Sequence, residues 1–393
     1  MRAELSNPNH PELGVAAIHL PISEWEYDHV MQELEALNIG DAVARDCRLG
    51  ELASGLESLK VLECQNINID ELDYLAKRLD SLDEYEAKQF EAAAARFELT
   101  DMTDLINLTF CSQQVTVISD FSCLEEVGRD HYLSINGGCA GTGELDNLDG
   151  YETALLLIGS GTGVVTPYGV IYDNGMKLEQ LYDGTHFPGY LYRSNVMMVS
   201  LTSRSEPDDT KNITWLYLPA AKAQIDHAIL RSGIKNESDM RFRPAEDSLL
   251  KEIRPALDFD RDSIYALNDL ALAVAGISKR DRVKLGAAVD MTDPKSAEQI
   301  RHLAENLDMF EFAPGAHNLA EYGRYMIQKS GHFSYDPNLE EYYDYEKYGR
   351  QHIDLECGTF TDRGYISYQG AMSLDELMME DPAEKHQQEM GGM

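Results

Sequence analysis

Leu124-Glu-Glu-Val-Gly-Arg129 returns 195 residues later as Leu319-Ala-Glu-Tyr-Gly-Arg324. At the same offset Leu72, Leu75 and Ala76 fall on Leu267, Leu270 and Ala271, Ala92 and Ala93 on Ala287 and Ala288, and Leu108 on Leu303. Beyond the clause, Asp149, Gly163, Thr166, Gly169 and Ile171 fall on Asp344, Gly358, Thr361, Gly364 and Ile366. Nearer the starts, Asp28-His29 resembles Asp226-His227 with a small shift. Between 72 and 132 there are ten identities in 61 positions. A period this long means tandem domains rather than a solenoid. The expected boundary lies near 190–197, between Phe187-Pro188-Gly189 and the apolar run Val196-Met197-Met198-Val199. Two units follow, 1–195 and 196–393. Each reads as α+β, then helical, then α+β, at about 1–66, 67–112 and 113–195 in the first. In the second the divisions fall at 196–262, 263–308 and 309–373, with a frayed tail over 374–393.

The local signals fill in that order. Residues 3–5 and 15–20 flank a polar Asn-Pro-Asn loop and predict a hairpin. A helix is expected from 24 to about 37, with Ser23 and Glu26 as a capping box and Asn38 and Gly40 as stop signals. A strand at 42–47 would complete a small sheet. Asn68 and Glu71 predict a cap, after which Leu72, Leu75, Ala76 and Leu79 keep helical spacing. Further helices are expected over 83–97, 103–110 and 123–132, a strand over 115–118, and a closing hairpin over 163–173.

The charge is as informative as the repeat. The chain has 393 residues, with 69 Asp+Glu against 33 Lys+Arg, a net of -36. Such a surplus opposes compaction by self-repulsion and repels DNA, RNA and anionic lipid, while attracting a basic protein groove. Yet 43% of residues are hydrophobic, with 21 Tyr and 11 Phe, so cores can form. Duplex DNA carries one charge per ~1.7 Å, so the surplus matches about 60 Å of duplex. A compact chain of this size has a radius of gyration near ~21 Å, so a DNA-like face implies an elongated body. No apolar run is long enough to span a bilayer, and MRAELSNPNHPELG lacks the core of a signal peptide. The six Cys form no C-x-x-C pair, which predicts reduced thiols and a cytoplasmic location.

In the first unit, helical faces left free by the apolar stripe are expected to present Asp70, Glu71, Asp73, Asp80, Asp83, Glu84, Glu86 and Glu91. Neighbouring segments add Asp101, Asp104, Asp120, Glu125 and Glu126. Residues 1–195 carry a net of -23 and 196–393 a net of -13. The second unit is richer in bases, including Lys222, Arg231 and Arg254. The densest local signal is there: Leu339-Glu340-Glu341-Tyr342-Tyr343-Asp344-Tyr345-Glu346-Lys347-Tyr348-Gly349-Arg350. The stretch is helix-compatible, with Pro337 before it and Gly349 available to end it. Leu339 and Tyr343 would then pack inward and Glu340, Glu341, Asp344 and Glu346 project outward. A plain amphipathic helix anchoring the last hairpin would use the same residues.

This motif resembles the antirestriction motif of the ArdA antirestriction proteins, an acidic-aromatic run leading into Asp-Tyr and then Gly-Arg. Its surroundings agree: Leu319-Ala-Glu-Tyr-Gly-Arg324 upstream and Gly358-Thr-Phe before a closing hairpin. The resemblance covers nearly the whole chain, once per unit. It implies an elongated, acidic mimic of bent B-form DNA, encoded on a mobile element, that occupies the DNA groove of type I restriction–modification enzymes. The chain departs from the pattern in being about twice the usual length. Its first unit holds Leu145-Asp-Asn-Leu-Asp-Gly-Tyr-Glu in the motif slot, without the Gly-Arg. Since family members usually dimerise, the tandem is expected to act as a built-in pseudo-dimer, or as a homodimer.

Other classes fit less well. No catalytic residues are assigned, because the carboxylates lie in repeated surface runs rather than beside a lone His or Ser. Gly159-Ser-Gly-Thr-Gly163 lacks the Gly-Lys-Ser/Thr ending of a phosphate loop and is expected to be a turn between strands. No H-E-x-x-H, Cys/His cluster or D-x-D-x-D-G loop is present, so no metal and no cofactor are expected. A mimic aimed at a CRISPR effector, another nuclease or a nucleoid protein would carry the same charge, as would an acidic interaction protein.

Overall fold

The computed structural model describes residues 1–141, 143–205, 213–331, 334–353 and 358–379. The chain forms two compact units. One comprises Met1–Arg193 with Asp208–Trp215 and Ala221–Asp239; the other comprises Ser194–Pro207, Leu216–Ala220 and Met240–Met393. Both are α+β, built from small antiparallel sheets and short helices.

In the first unit β1 (Arg2–Ser6) and β2 (Val15–His19) form the expected hairpin, Ala3 opposite Ile18. β3 (Cys47–Ala53) pairs with the other edge of β1, and β4 (Asn66–Ile67) completes the order β2-β1-β3-β4. β3 begins where the predicted 42–47 strand was to end. The Asp41 carboxylate accepts the Val43 and Ala44 N–H groups (2.8 and 2.6 Å) and turns that segment back. α1 (Glu24–Ala36) buries Tyr27, Met31 and Leu34 on the sheet side. Ser23 does not cap it; its hydroxyl donates to the Glu26 carboxylate at 2.8 Å instead.

α2 (Ile69–Asp80) is capped as expected by Asn68, which accepts the Asp70 and Glu71 N–H groups at 3.0 and 3.1 Å. α3 (Glu84–Arg96) starts on a capping box between Asp83 and Glu86, and α4 (Met102–Leu108) follows. Leu72, Leu75, Phe90, Leu105 and Leu108 join Leu5, Leu34 and Leu49 in one continuous core. A second layer holds β5 (Thr116–Ile118), α5 (Leu124–Ile135), α6 (Glu144–Asn147), α7 (Gly150–Gly159), β6 (Val164–Thr166) and β7 (Gly169–Tyr172), with sheet order β5-β7-β6. The Gly159–163 segment therefore joins a helix to a strand, not two strands. α8 (Lys222–Arg231) also belongs to this unit and packs on α1, where Asp28 accepts the Ala223 N–H at 2.8 Å.

In the second unit β8 (Met197–Ser203), β9 (Thr214–Leu218) and β10 (Met240–Asp247) form a sheet ordered β10-β8-β9. α9 (Ile264–Gly276), α10 (Lys279–Thr292) and α11 (Ala297–Glu305) follow, capped by Ser263, Ser278 and Ser296. Then come β11 (Phe310–Pro314), α12 (Leu319–Gln328), α13 (Tyr345–Ile353), β12 (Gly358–Thr361) and β13 (Gly364–Tyr368), with sheet order β11-β13-β12. The first residues of the tail expected to fray from 374 are helical. α14 (Leu374–Met378) has a capping box between Ser373 and Glu376 and buries Leu377; residues 380–393 lie outside those described. No helix among the described residues is long and apolar enough to cross a membrane.

Candidate functional site

The sequence placed thirteen acids of the first unit on open faces, and four of them are not there. Asp70, Glu71, Asp73 and Glu91 are buried. Helical periodicity correctly put them off the apolar stripe of α2 and α3, but other chain covers that side. Over α2 lie α8 and the segment around Tyr182.

The result is a buried polar network. Asp70 accepts from the Tyr27 hydroxyl, bonds His227 Nδ1 at 2.9 Å and accepts from Arg231 Nε at 3.4 Å. Arg231 also donates to Asn68, to Tyr182 Oη (3.4 Å) and to the Thr185 carbonyl (3.2 Å), and lies over the Phe187 ring at 4.4 Å. Glu71 accepts from Tyr182 Oη at 3.0 Å and takes a two-pronged grip from Arg45 at 3.0 and 3.1 Å. Asp73 accepts the Ile22 N–H and pairs with Lys77, both at 2.7 Å. Such a cluster is tolerable only because each charge has a partner. These acids hold the unit together and leave no carboxylate for a partner. Nothing local marks Arg231 or His227 as their mates, which lie about 160 residues away in sequence.

Burial alone would raise the Asp70 pKa, but the hydrogen bond and charge of His227 and the charge of Arg231 hold it below the usual carboxylate range. Burial likewise presses His227 down, and the Asp70 bond and charge, with help from Asp41 against the opposing Arg231, lift it above its ordinary value. For Asp73 burial wins, and its pKa is raised despite Lys77. A pH dependence follows. His227 titrates near ~6.5 in the unfolded chain, so its contribution is full below that pH and fades as pH rises through the higher folded pKa. Trp25 lies on α1 of this unit, whereas Trp215 lies on β9. Melting temperature followed by Trp25 fluorescence in a Trp215→Phe background should therefore fall between pH 6 and 8.5, with a shallower fall in His227→Gln; equal slopes would exclude the linkage.

The remaining acids behave differently. Asp80, Asp83, Glu84, Asp120, Glu125 and Glu126 are exposed, and Glu86, Asp101 and Asp104 are half-buried. Glu84 and Glu125 pair on the surface with Lys88 and Arg129, and Asp101 with Arg45. Burial, then the carboxylates of Glu126 and Asp83, push the Asp130 pKa up.

In the second unit the motif is not one helix. Asp336 starts a 3-10 turn over Pro337–Tyr342, Tyr343 is extended, and Asp344 starts α13 by accepting the Lys347 N–H at 3.0 Å. Leu339 is exposed rather than packed, and Tyr342 is 82% exposed. Glu340, Glu341, Asp344 and Glu346 do face solvent. Tyr343 lies between Tyr335 (5.8 Å) and Tyr345 (5.9 Å), and the Arg324 guanidinium sits 5.0 Å from the Tyr345 ring. Arg350 reaches Glu346 at 2.8 Å on the surface. Gly349 does not end the helix. It lies inside α13 where α12 crosses: a Cβ there would stand 2.1 Å from the Leu319 carbonyl oxygen, and one on Gly323 only 1.9 Å from that of Tyr345.

The first unit has the same crossing. Asp149 starts α7 by accepting the Glu152 N–H at 2.9 Å, and a Cβ on Gly128 would stand 1.8 Å from the Gly150 oxygen. Here the second glycine directly follows the capping Asp, whereas Gly349 comes five residues after Asp344. The slot in the first unit holds Ala154-Leu155 where the second holds Gly349-Arg350. No group of His, Cys, Asp or Glu among the described residues is arranged to hold a metal ion.

Residues 213–367 match the sequence profile of the family described as antirestriction protein (ArdA), a stretch that contains the whole of the motif. No curated protein matches the chain.

Proposed function

We propose, from the antirestriction match over residues 213–367, that the chain is a DNA-mimicking inhibitor that occupies the DNA groove of a type I restriction–modification enzyme. The observation that carries the reading is that the matched stretch presents Glu340, Glu341, Asp344 and Glu346 to solvent on a chain of net charge -36. Carboxylates at the surface stand in for phosphates and meet the Lys and Arg of a groove built for DNA. The inhibitor acts stoichiometrically, without a cofactor, and its grip weakens with salt. Since phosphate contacts carry no sequence information, enzymes with different recognition sites are open to the same inhibitor.

We also propose that both units are ArdA-like. Supporting this, Gly169 and Gly364 adopt φ of +132° and +136°, and a Cβ on either would meet the carbonyl oxygen of Ile118 or Ala313, again 195 residues apart. Thr166 and Thr361 each donate to the carbonyl of the following glycine, at 2.9 and 2.8 Å. One chain would then supply what a pair of one-unit proteins supplies. In the first unit, Asp80, Asp83, Glu84, Glu86, Asp101, Asp104, Asp120, Glu125 and Glu126 remain as candidate contact acids.

The test is competition between the purified protein and DNA for a purified type I enzyme. The wild-type chain should displace DNA at near-equimolar ratio. The variant Glu340→Gln, Glu341→Gln, Asp344→Asn, Glu346→Gln should compete about 10–100-fold less well, as expected if four exposed charge pairs each contribute ~0.3–0.7 kcal/mol. Asn keeps the α13 cap, so the fold is retained. No displacement at any ratio, or displacement unaffected by salt, would refute the reading.

A further inference from the structure

The two helix-on-sheet layers that share so much geometry differ at one point. In the first unit α3 lies against the β5-β7-β6 sheet, and Gln89 on that helix is buried. Its amide donates to the carbonyls of Val115 and Gln113 and to the Ser134 hydroxyl on α5, closing the space between helix, edge strand and α5. In the second unit α10 lies against the β11-β13-β12 sheet in the same way. At the position 195 residues on from Gln89 stands Lys284. Among the described residues none plugs the gap there. A cleft of about 440 Å³ opens between α10, β11 and α12, walled by Phe312, Tyr322 and Tyr325, with Arg280 and Lys284 on its α10 side.

The charges in this cleft are unusual for so acidic a chain. Lys284 is half-buried, yet neither it nor Arg280 has an ion-pair partner among the described residues. The two carboxylates at the rim do not supply one: Asp281 accepts from the Ser278 hydroxyl at 2.7 Å, and Glu311 is exposed on β11. Burial lowers the Lys284 pKa against the pull of Asp281, Asp308 and Glu311, as expected for an ammonium held back from water with no contact counterion. The volume falls within the ~300–1,000 Å³ of small-molecule sites, and aromatic walls with a few convergent polar groups are their usual lining.

We propose that this cleft is a binding site for a small anionic ring compound, whose phosphate or carboxylate meets Lys284 and Arg280 and whose ring lies against Phe312 and Tyr325. The site is independent of DNA mimicry, and either reading can fail without the other.

The test is calorimetric titration of the full chain with three separate probes: inorganic phosphate, adenosine monophosphate and benzoate. At least one ring-bearing anion should bind once per chain at submillimolar Kd and tighter than phosphate, and which of the two binds separates a phosphate from a carboxylate source. Lys284→Gln, which copies the residue of the first unit, and Lys284→Met should each weaken binding at least tenfold, with circular dichroism and melting temperature unchanged. Bound probe should also protect Lys284 from an amine-acylating reagent, read by mass spectrometry. Absence of binding by both ring compounds at millimolar concentration, affinity no better than that of phosphate, or equal affinity in the Lys284 variants would each overturn the assignment.

Discussion

Arg231→Ala should destabilise the first unit by about 3–5 kcal/mol, the range for removing one partner of a buried ion pair. The side chain is 4% exposed and is the common member of the contacts to Asp70, Asn68, Tyr182 and Thr185. Its loss leaves Asp70 buried with His227 and Tyr27 alone, and leaves the Phe187 ring without the guanidinium above it. Arg231→Lys should recover only part of the loss, because an ammonium cannot reproduce a fork that serves four acceptors. Urea unfolding followed by Trp25 fluorescence, in a background where Trp215 is replaced by Phe, reads this directly, since Trp25 lies on α1 of the affected unit. A midpoint within ~0.5 kcal/mol of wild type would show that the network is not what closes this unit.

The second large effect concerns the motif. Gly323→Ala should cost the second unit about 1–3 kcal/mol or more, the range for overpacking, because the new methyl would meet backbone rather than a side chain that can swing away. Gly349→Ala should cost a similar amount for the reciprocal contact with the Leu319 carbonyl. Gly276→Ala is the control: nothing lies within 4 Å of its Cβ position, and no change or a slight gain is expected. Arg350→Gln should be nearly neutral, since it removes only an exposed i,i+4 pair worth ~0.3–0.5 kcal/mol. Thermal unfolding by circular dichroism ranks all four. The motif would thus divide into a glycine that fixes two helices and charged residues whose value lies at the surface. If Gly349→Ala and Arg350→Gln were equally harmless, the crossing would not depend on the missing side chain.

Much of the fold was legible because its signals are local. Asn68 caps where its spacing to Glu71 said it would, the helix expected over 83–97 forms as α3, and the apolar stripe of α2 enters the core as read. Ser23 failed although its pattern was the same, because Glu26 captured the hydroxyl that the helix end would have used. The motif misled for a similar reason. A run of helix-compatible residues contains a break at Tyr343 that Asp336 and Asp344 impose by each starting a separate turn. The buried acids could not have been found this way. Periodicity says which face of α2 is apolar, but not that Arg231 and His227 will arrive to cover the other one.

The placement of α8 in the first unit carries an implication for how the chain is made. Synthesis runs from the N-terminus at ~5–20 residues per second, so Asp70 and Glu71 emerge from the ribosome well before the helix that neutralises Asp70. Until Arg231 clears the exit tunnel, the nascent first half holds an open, unbalanced interior. Its final closure awaits a segment translated after the strand that begins the second half, which makes the two halves partners in biogenesis.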